Sequence, residues 1–544
     1  MMNLASVHEA IAEVVPERDC IVHRGRHFSW SEVTERTRRL GHLLRAHGLG
    51  FRRARADLKG WESGQDHVAL YLHNGPEYLE GMLGAYKARC APFNVNYRYV
   101  EEELTYLFEN AEAKAVIYHA AFAPLLQKVR SRIPELSLLL QVADGSNQPL
   151  LDGALDYETA LAGSSAEPMP NGLSGDDLYI LYTGGTTGLP KGVLWRQDDI
   201  FHAALMTGEP ASLSEVCANV KRREGLRVLP APPFMHGAAH WAAFNLWNLG
   251  GTVLIQDEVE RLDPRDVWST CERERAQMLT IVGDAFARPL IDELRRHPYD
   301  LSDLFIITSG GAILTASLKQ ELLELLPNVR IRDALGSSES GAQGAHVSTK
   351  ETGAVTGEFD LAEDNVVLSE DFSRVLEPGD PERGWLARMG RMPLGYFKDE
   401  EKTRRTFPEV DGVRYAVPGD RAEIAPDGRL KLLGRDSVTI NSGGEKIFAE
   451  EVELALKHHA GVYDCVVCGT PSERWGSAVT ALVQLRPGAE VSEAELSACA
   501  NQRITRYKLP KHYIFVDSVV RAPSGKADYR WAKQTATKAL GLDS

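Results

Sequence analysis

The sequence predicts an α/β protein: a large N-terminal domain of parallel-rich sheets with helices and a small β-barrel-like subdomain, then a small α+β C-terminal domain. Three observations lead there. The 544 residues exceed what one compact core accommodates, so at least two folded units are expected. Short β-rich runs alternate with amphipathic helical stretches over most of the length, the pattern of parallel sheets built from right-handed crossovers. Near residue 360 this gives way to short strands broken by turn signals, and after Gly434 the pattern changes again.

Taken in order, residues 67–72 (HVALYL) read as a strand and 76–89 as the helix that follows. Residues 101–109 read as a helix and 114–118 (KAVIY) as the next strand. Further strands are expected at 227–230, 252–255, 278–282 and 304–309. From about 360 to 434, the turn signals EPGD, PDG and DG suggest a small antiparallel, barrel-like region. A helix at 449–458 and a strand at 464–468 belong to the last unit, which places the boundary between 1–434 and 435–544. Residues 51–65 (FRRARADLKGWESGQ) are polar, rich in arginine and without periodicity, and read as a surface insertion.

Composition narrows the function. Hydrophobic residues make up 43% and charged residues 25%, ordinary for a globular protein, and the net charge of −15 argues against nucleic acid or an anionic membrane as partner. The 7 cysteines are scattered. Cys465 and Cys468 form a lone C-x-x-C within DCVVCG, with no second pair at metal spacing, so buried strand cysteines are expected. An odd count without a framework fits a reducing cytoplasm. The N-terminal MMNLASVHEAIAEVVPERD lacks a basic start, and no apolar run reaches the roughly 18–20 residues that span a bilayer. A soluble, cytoplasmic protein without a transmembrane segment is the expectation.

The strongest chemical signal is residues 182–192, YTGGTTGLPKG, which follow the apolar run LYILY. Glycines let backbone N–H groups approach phosphate oxygens, threonine hydroxyls add donors, and Lys191 adds a cation. A Walker A loop is excluded, because it needs glycine before the lysine and Ser or Thr after it, whereas Pro190 and Gly192 stand there.

This segment resembles the T-S-G-T-T-G-x-P-K-G signature of the adenylate-forming superfamily of acyl-CoA synthetases, peptide-synthetase adenylation domains and luciferases, with Gly184 in place of serine. The resemblance implies ATP binding by Thr183, Gly184, Gly185, Thr186, Thr187, Gly188 and Lys191. It continues in order down the chain. Residues 309–312 (SGGA) resemble the segment lying against adenine and the acyl pocket, which implies nucleotide contacts at Gly311 and Ala312. Residues 333–339 (DALGSSE) resemble Y-G-x-T-E. Asp333, Ser338 and Glu339 are the implied ATP contacts, Glu339 is the implied Mg²⁺ ligand, and Leu335 replaces the usual tyrosine. Asp420, after Gly419, and Arg435, after Gly434, match the residues that reach the ribose. The hinge falls at Asp436 or Ser437. Ser442, Gly443, Gly444 and Lys446 (SGGEK) resemble the loop along which the pantetheine arm of coenzyme A runs, and Lys526 in PSGK matches the final catalytic lysine. The resemblance covers about residues 5–535.

What the resemblance implies is an AMP-forming acyl-CoA synthetase, closest to bacterial fatty-acyl or steroid side-chain enzymes. Residues 1–434 bind ATP and acid, and residues 435–544 form a mobile lid bearing the lysine. A carboxylate attacks the α-phosphorus of ATP, and the acyl-adenylate then passes its acyl group to coenzyme A. The implied catalytic set is Lys526, Glu339, Thr186, Lys191 and His236, with ATP, Mg²⁺ and coenzyme A as cofactors and co-substrates. His236, in PPFMHGAAH, stands where the family often lines its acyl pocket with histidine, and His240 without matching acids is poor grounds for zinc. Rotation of the lid between half-reactions withdraws Lys526 and presents SGGEK. The pocket residues His236, Gly237, Ala238, Asp284, Gly310 and Gly311 are mostly small, which favours a bulky acid such as a steroid side-chain acid. A medium- or long-chain fatty acid is the alternative. An adenylation module loading a carrier protein, a luciferase-like oxygenase and a non-enzymatic scaffold are further readings, and a homodimer is left open.

Overall fold

The computed structural model describes residues 1–169, 172–183, 189–442 and 445–542. Its largest sheet has 13 strands among these residues. One part is parallel, running Asp19–His23, Thr252–Ile255, Arg227–Pro230, Met278–Ile281, Ile306–Gly310 and Arg330–Ser337 in spatial order. These strands read as near-continuous apolar runs because both faces are covered, as a parallel sheet requires. The helices Pro264–Arg273, Gly283–Arg296 and Ala316–Leu325 pack beneath, with Trp268, Phe286, Leu290 and Leu318 in one buried cluster alongside Leu279 and Ile307. Helix Gly237–Trp247 covers part of the other face, where Ala239, Ala243 and Phe244 join Val228 and Val253.

Past Arg330–Ser337 the chain reverses. Gly341–Ser348, Glu358–Leu361, Leu430–Arg435, Asp420–Ile424, Gly384–Arg388 and Asn365–Leu368 extend the same sheet antiparallel. The expected barrel-like subdomain is thus the antiparallel half of a mixed open sheet, not a closed barrel. Its turn-rich strands pair in a row that begins on the parallel half, and the outermost, Asn365–Leu368, does not return to pair with the first, as closure would demand.

A second, five-stranded parallel sheet runs in the order Ala91–Asn94, His67–Tyr71, Ala113–His119, Leu138–Val142, Leu155–Asp156. A third joins Leu178–Thr183, Lys191–Arg196 and Gly395–Tyr396 antiparallel. Buried Asn94 ties these pieces together. Its amide donates to the carbonyls of Tyr182 and Met235 at 2.8 Å each and accepts from the Tyr182 N–H at 2.7 Å.

Residues after the Leu430–Arg435 strand form a three-stranded sheet, Val462–Ser472, Gly476–Leu485 and His512–Phe515, with helices Ala449–Lys457, Glu493–Asn501 and Tyr529–Ala539. Its apolar cluster, including Val452, Leu456, Val467, Val479 and Leu496, draws no residue from before 440. Cys465 and Cys468 are buried on its first strand, and burial pushes the Cys468 thiol up to about 12. Residues 51–65 form a loop closed by a Phe51–Gln65 bridge, and the Trp61 carbonyl accepts from the Lys398 N–H at 2.9 Å. No described helix is long and apolar enough to cross a membrane.

Candidate active site

A cavity of about 1920 Å³ opens where the parallel and antiparallel halves of the large sheet meet. Its walls are the Leu178–Thr183 strand, helix Gly237–Trp247, residues 335–339, the Leu430–Arg435 strand end and residues 522–530.

Thr183 lines it at the end of its strand, paired directly opposite Lys191. Gly184, Gly185, Thr186, Thr187 and Gly188 lie outside the described residues. The segment therefore links two antiparallel strands, whereas a Walker A loop leads into a helix. Gly192 is required locally: a Cβ there would sit 2.8 Å from the Tyr182 ring. Lys191 approaches the Asp399 carboxylate at 2.9 Å. Partial burial works against its charge, but the Asp399 hydrogen bond outweighs this and holds the ammonium above the ordinary lysine value.

Glu339 faces the cavity and accepts from the Tyr396 hydroxyl at 2.8 Å. Trp195 fixes this turn by donating to the Ser338 carbonyl at 2.9 Å. Among the described residues no group of three His, Cys, Asp or Glu side chains gathers to hold a metal. A single carboxylate fits Mg²⁺, which binds through one or two carboxylates and completes its shell with water and phosphate oxygens. Asp420 and Arg435 are cross-strand neighbours, and the Arg435 Nε donates to Asp420 at 3.2 Å. Arg435 lines the cavity with Gly419, Asp436 and Ser437.

Lys526 enters from the C-terminal part. A Cβ on Gly311, whose φ is +87°, would lie 3.9 Å from the lysine Cε. Lys526 also lines the cavity. Enclosure and then the Arg435 charge pull its ammonium down to about 8, against attraction from Glu339 and Asp420. His236 precedes helix Gly237–Trp247, and burial, followed by the Lys526 charge, takes it down to about 3, so the imidazole is neutral. Its Nε2 is buried without a hydrogen-bond partner among the described residues. His240 is structural: its ring bonds the Tyr179 hydroxyl and lies 2.7 Å from the Phe234 carbonyl. Gly237, Ala238, Gly310 and Gly311 line the cavity, while Ala312 packs under Gly283.

Asp333 and Asp284 are turned away from this cavity. Asp333 is buried in an ion pair with Lys319, because strand alternation turns it away from the face that carries Arg332 and Ala334. Asp284 leaves the acyl pocket altogether. It accepts from the Thr315 N–H at 2.8 Å and meets Lys457 of the C-terminal part at 3.2 Å, beside a separate cavity of about 300 Å³. Ser442 is buried in a hairpin off the cavity and Lys446 sits 3.6 Å from Glu370, while Gly443 and Gly444 lie outside the described residues. Sequence reasoning missed Tyr396, Lys402 and Arg405, all on the cavity wall. The only local signal was a pair of cations three apart on helix Glu400–Thr406, which puts them on one face.

A large α/β N-terminal domain followed by a small C-terminal one is the layout of the adenylate-forming enzyme fold. The backbone superposes on ATP-bound MatB from Rhodopseudomonas palustris with a TM-score of 0.81 at 23% identity, covering 99% of this chain and 100% of that one. The description "AMP-binding enzyme" matches residues 8–381, and "AMP-binding enzyme C-terminal domain" matches 451–526. The chain belongs to the AMP-binding enzyme family. It is 51% identical over 98% of both chains to the medium-chain acyl-CoA ligase Mig of Mycobacterium avium. It is also 40% identical to the 3-oxocholest-4-en-26-oate–CoA ligase of Rhodococcus rhodochrous, covering 98% of this chain and 95% of that one.

Proposed function

We propose that residues 1–434 bind ATP and a bulky hydrophobic acid, that residues 435–544 act as a moving lid, and that a steroid side-chain acid is the preferred substrate. The activity is that of an AMP-forming acyl-CoA ligase using ATP, Mg²⁺ and coenzyme A. In the first step an acid oxygen bonds to the α-phosphorus and the bond to the β-phosphate bridge breaks, releasing pyrophosphate. In the second, the coenzyme A sulfur bonds to the acyl carbon, AMP leaves with the C–O electron pair, and the thiol proton passes to solvent. Lys526 and Lys191 oppose the charge that builds on the phosphate oxygens. Glu339 would hold Mg²⁺, which would supply further charge neutralisation on the phosphates. Neutral His236 offers the acid a hydrogen bond without competing for its charge. With Lys526 at the cavity and Ser442 and Lys446 off it, this arrangement suits the first half-reaction.

The observation that carries the substrate reading is the cavity of about 1920 Å³. Single-ligand sites hold about 300–1,000 Å³, so ATP and a large acid fit together. The medium-chain relative at 51% identity supports a second reading, a medium-chain acid. Seven unpaired cysteines suit a cytoplasmic location. Competition between a steroid side-chain acid and octanoate in one reaction, with thioesters counted by mass, tests this. The steroid thioester should dominate, and dominance of octanoyl-CoA refutes it in favour of the medium-chain reading.

A further inference from the structure

The acyl lobe has a polar far end. One wall is a face of the large sheet, where Val228, Met278, Thr280, Thr308 and Ala334 point inward at alternate positions. Gly310 and Ala334, side by side, mark the end near Lys526. Two residues back along the strands, about 7 Å further from the lysine, Thr308 stands beside Arg332. Arg332 lines the cavity, yet it has no hydrogen bond, ion pair or ring contact with any described residue. Water reaches it, and burial by the surrounding protein still holds its proton affinity below the ordinary arginine value.

Helix Gly237–Trp247 forms the opposite wall. Gly237 lies next to His236, and Asn245, eight residues on and about 12 Å along the axis, also lines the cavity. The Asn245 carbonyl oxygen accepts from Thr207 at 3.2 Å, and its amide N–H₂ has no partner among the described residues. A Glu209 carboxylate oxygen on this side lies 3.0 Å from the His202 Nδ1, and Glu363 and Asp364 also line the cavity. Two donors without partners among the described residues, one of them cationic, therefore face a cavity that Thr207, Glu209, Asp364 and Arg391 also line, remote from the reacting carboxylate.

We infer that Arg332 and Asn245 recognise a hydrogen-bond-accepting oxygen carried at the far end of the acid, such as a ring ketone. An unsubstituted hydrocarbon end displaces the water that reaches these donors and offers no acceptor in return, which a site built to hydrogen-bond its substrate penalises. This specificity rests on the bulky-acid reading above, and the test separates the two. Rates of pyrophosphate release and thioester formation are compared for a 3-oxo steroid side-chain acid against its 3-deoxy counterpart, and for 9-oxodecanoate against decanoate. Each is measured with the wild-type enzyme, Arg332→Met and Arg332→Lys.

The wild type should prefer the oxo acid by about ten- to a hundredfold in kcat/KM, the range of a charge-assisted hydrogen bond. Arg332→Met should bring that ratio close to one by slowing only the oxo acid, and Arg332→Lys should keep part of it. Discrimination confined to the linear pair supports the role of Arg332 and refutes the steroid reading. Activation of both steroid acids without discrimination, or a ratio unchanged in Arg332→Met, overturns the inference and makes Arg332 a solvated charge at the cavity mouth. Activation of none of the four acids overturns both.

Discussion

Asp284→Asn should impair acid activation while sparing thioester formation, because its partner Lys457 belongs to the part of the chain that delivers Lys526. Lys457 lies 3.2 Å from Asp284 and 3.1 Å from Asp464, and Arg521 grips Asp464 at 2.7 and 2.8 Å. The four charges sum to zero in a setting where burial opposes the Lys457, Asp464 and Arg521 charges, yet Lys457 is held above the ordinary lysine value by the two carboxylates. Asparagine is isosteric and keeps the acceptor for the Thr315 N–H, so helix Gly283–Arg296 retains its start. What is lost is one charge across the junction. Stripping a buried charge of its only partner costs about 3–5 kcal/mol, but Lys457 keeps Asp464, so a charge-assisted hydrogen bond of about 2 kcal/mol is the better measure. That weakens docking of the lysine-bearing part about thirtyfold. Pyrophosphate release should therefore fall by up to that factor, and conversion of supplied acyl-adenylate to thioester should be unchanged or faster. Because the pair lies outside both apolar cores, the unfolding midpoint should move little. Equal loss in both half-reactions, or full adenylation activity, refutes the argument. Adding Lys457→Met to Asp284→Asn, which removes the cation left facing asparagine, should recover part of the loss.

Other outcomes follow from the same site. Lys526→Ala should lower adenylation by about 10²–10³-fold, as for loss of one charge-stabilising donor, with thioester formation from supplied adenylate intact. Because Lys526 is pulled down to about 8 from the ordinary lysine value, its charged fraction falls from roughly nine-tenths at pH 7 to roughly one-tenth at pH 9. The kcat/KM for adenylation should decline through this window with an apparent midpoint near 8, a limb absent from the second half-reaction and from an active Lys526→Arg variant. Gly237→Leu should penalise a fused-ring acid far more than octanoate in competition assays, because a Cβ there already lies 3.2 Å from the Trp241 ring and 3.3 Å from Leu181.

What was legible in the sequence was whatever local chemistry dictates. Strands such as Thr252–Ile255 and Met278–Ile281 announce themselves as short apolar runs between helices, since a doubly covered parallel sheet leaves no polar face. The glycine- and threonine-rich motif of residues 182–192 and PSGK were visible because glycine, hydroxyl and lysine cluster within a few residues. Long-range pairing was not visible. The turn-rich region after 360 has the same local grammar in a barrel as in an open meander, and only the register of Glu358–Leu361 on both Gly341–Ser348 and Leu430–Arg435 distinguishes them. Asp284 was misplaced for a related reason. It opens a helix within a few residues of cavity-lining Val282, yet a helix start presents successive side chains to different surroundings, and the one facing Asp284 comes from Lys457, 173 residues away. Arg332 escaped notice because two arginines at alternate positions, in VRIRDALG, read as a solvated strand face. It gains meaning only when the sheet register places it beside Thr308 and the helix places Asn245 on the opposite wall. The motifs shared with the family are thus contiguous in the chain, whereas the proposed acid-selecting end is assembled from single residues on separate elements.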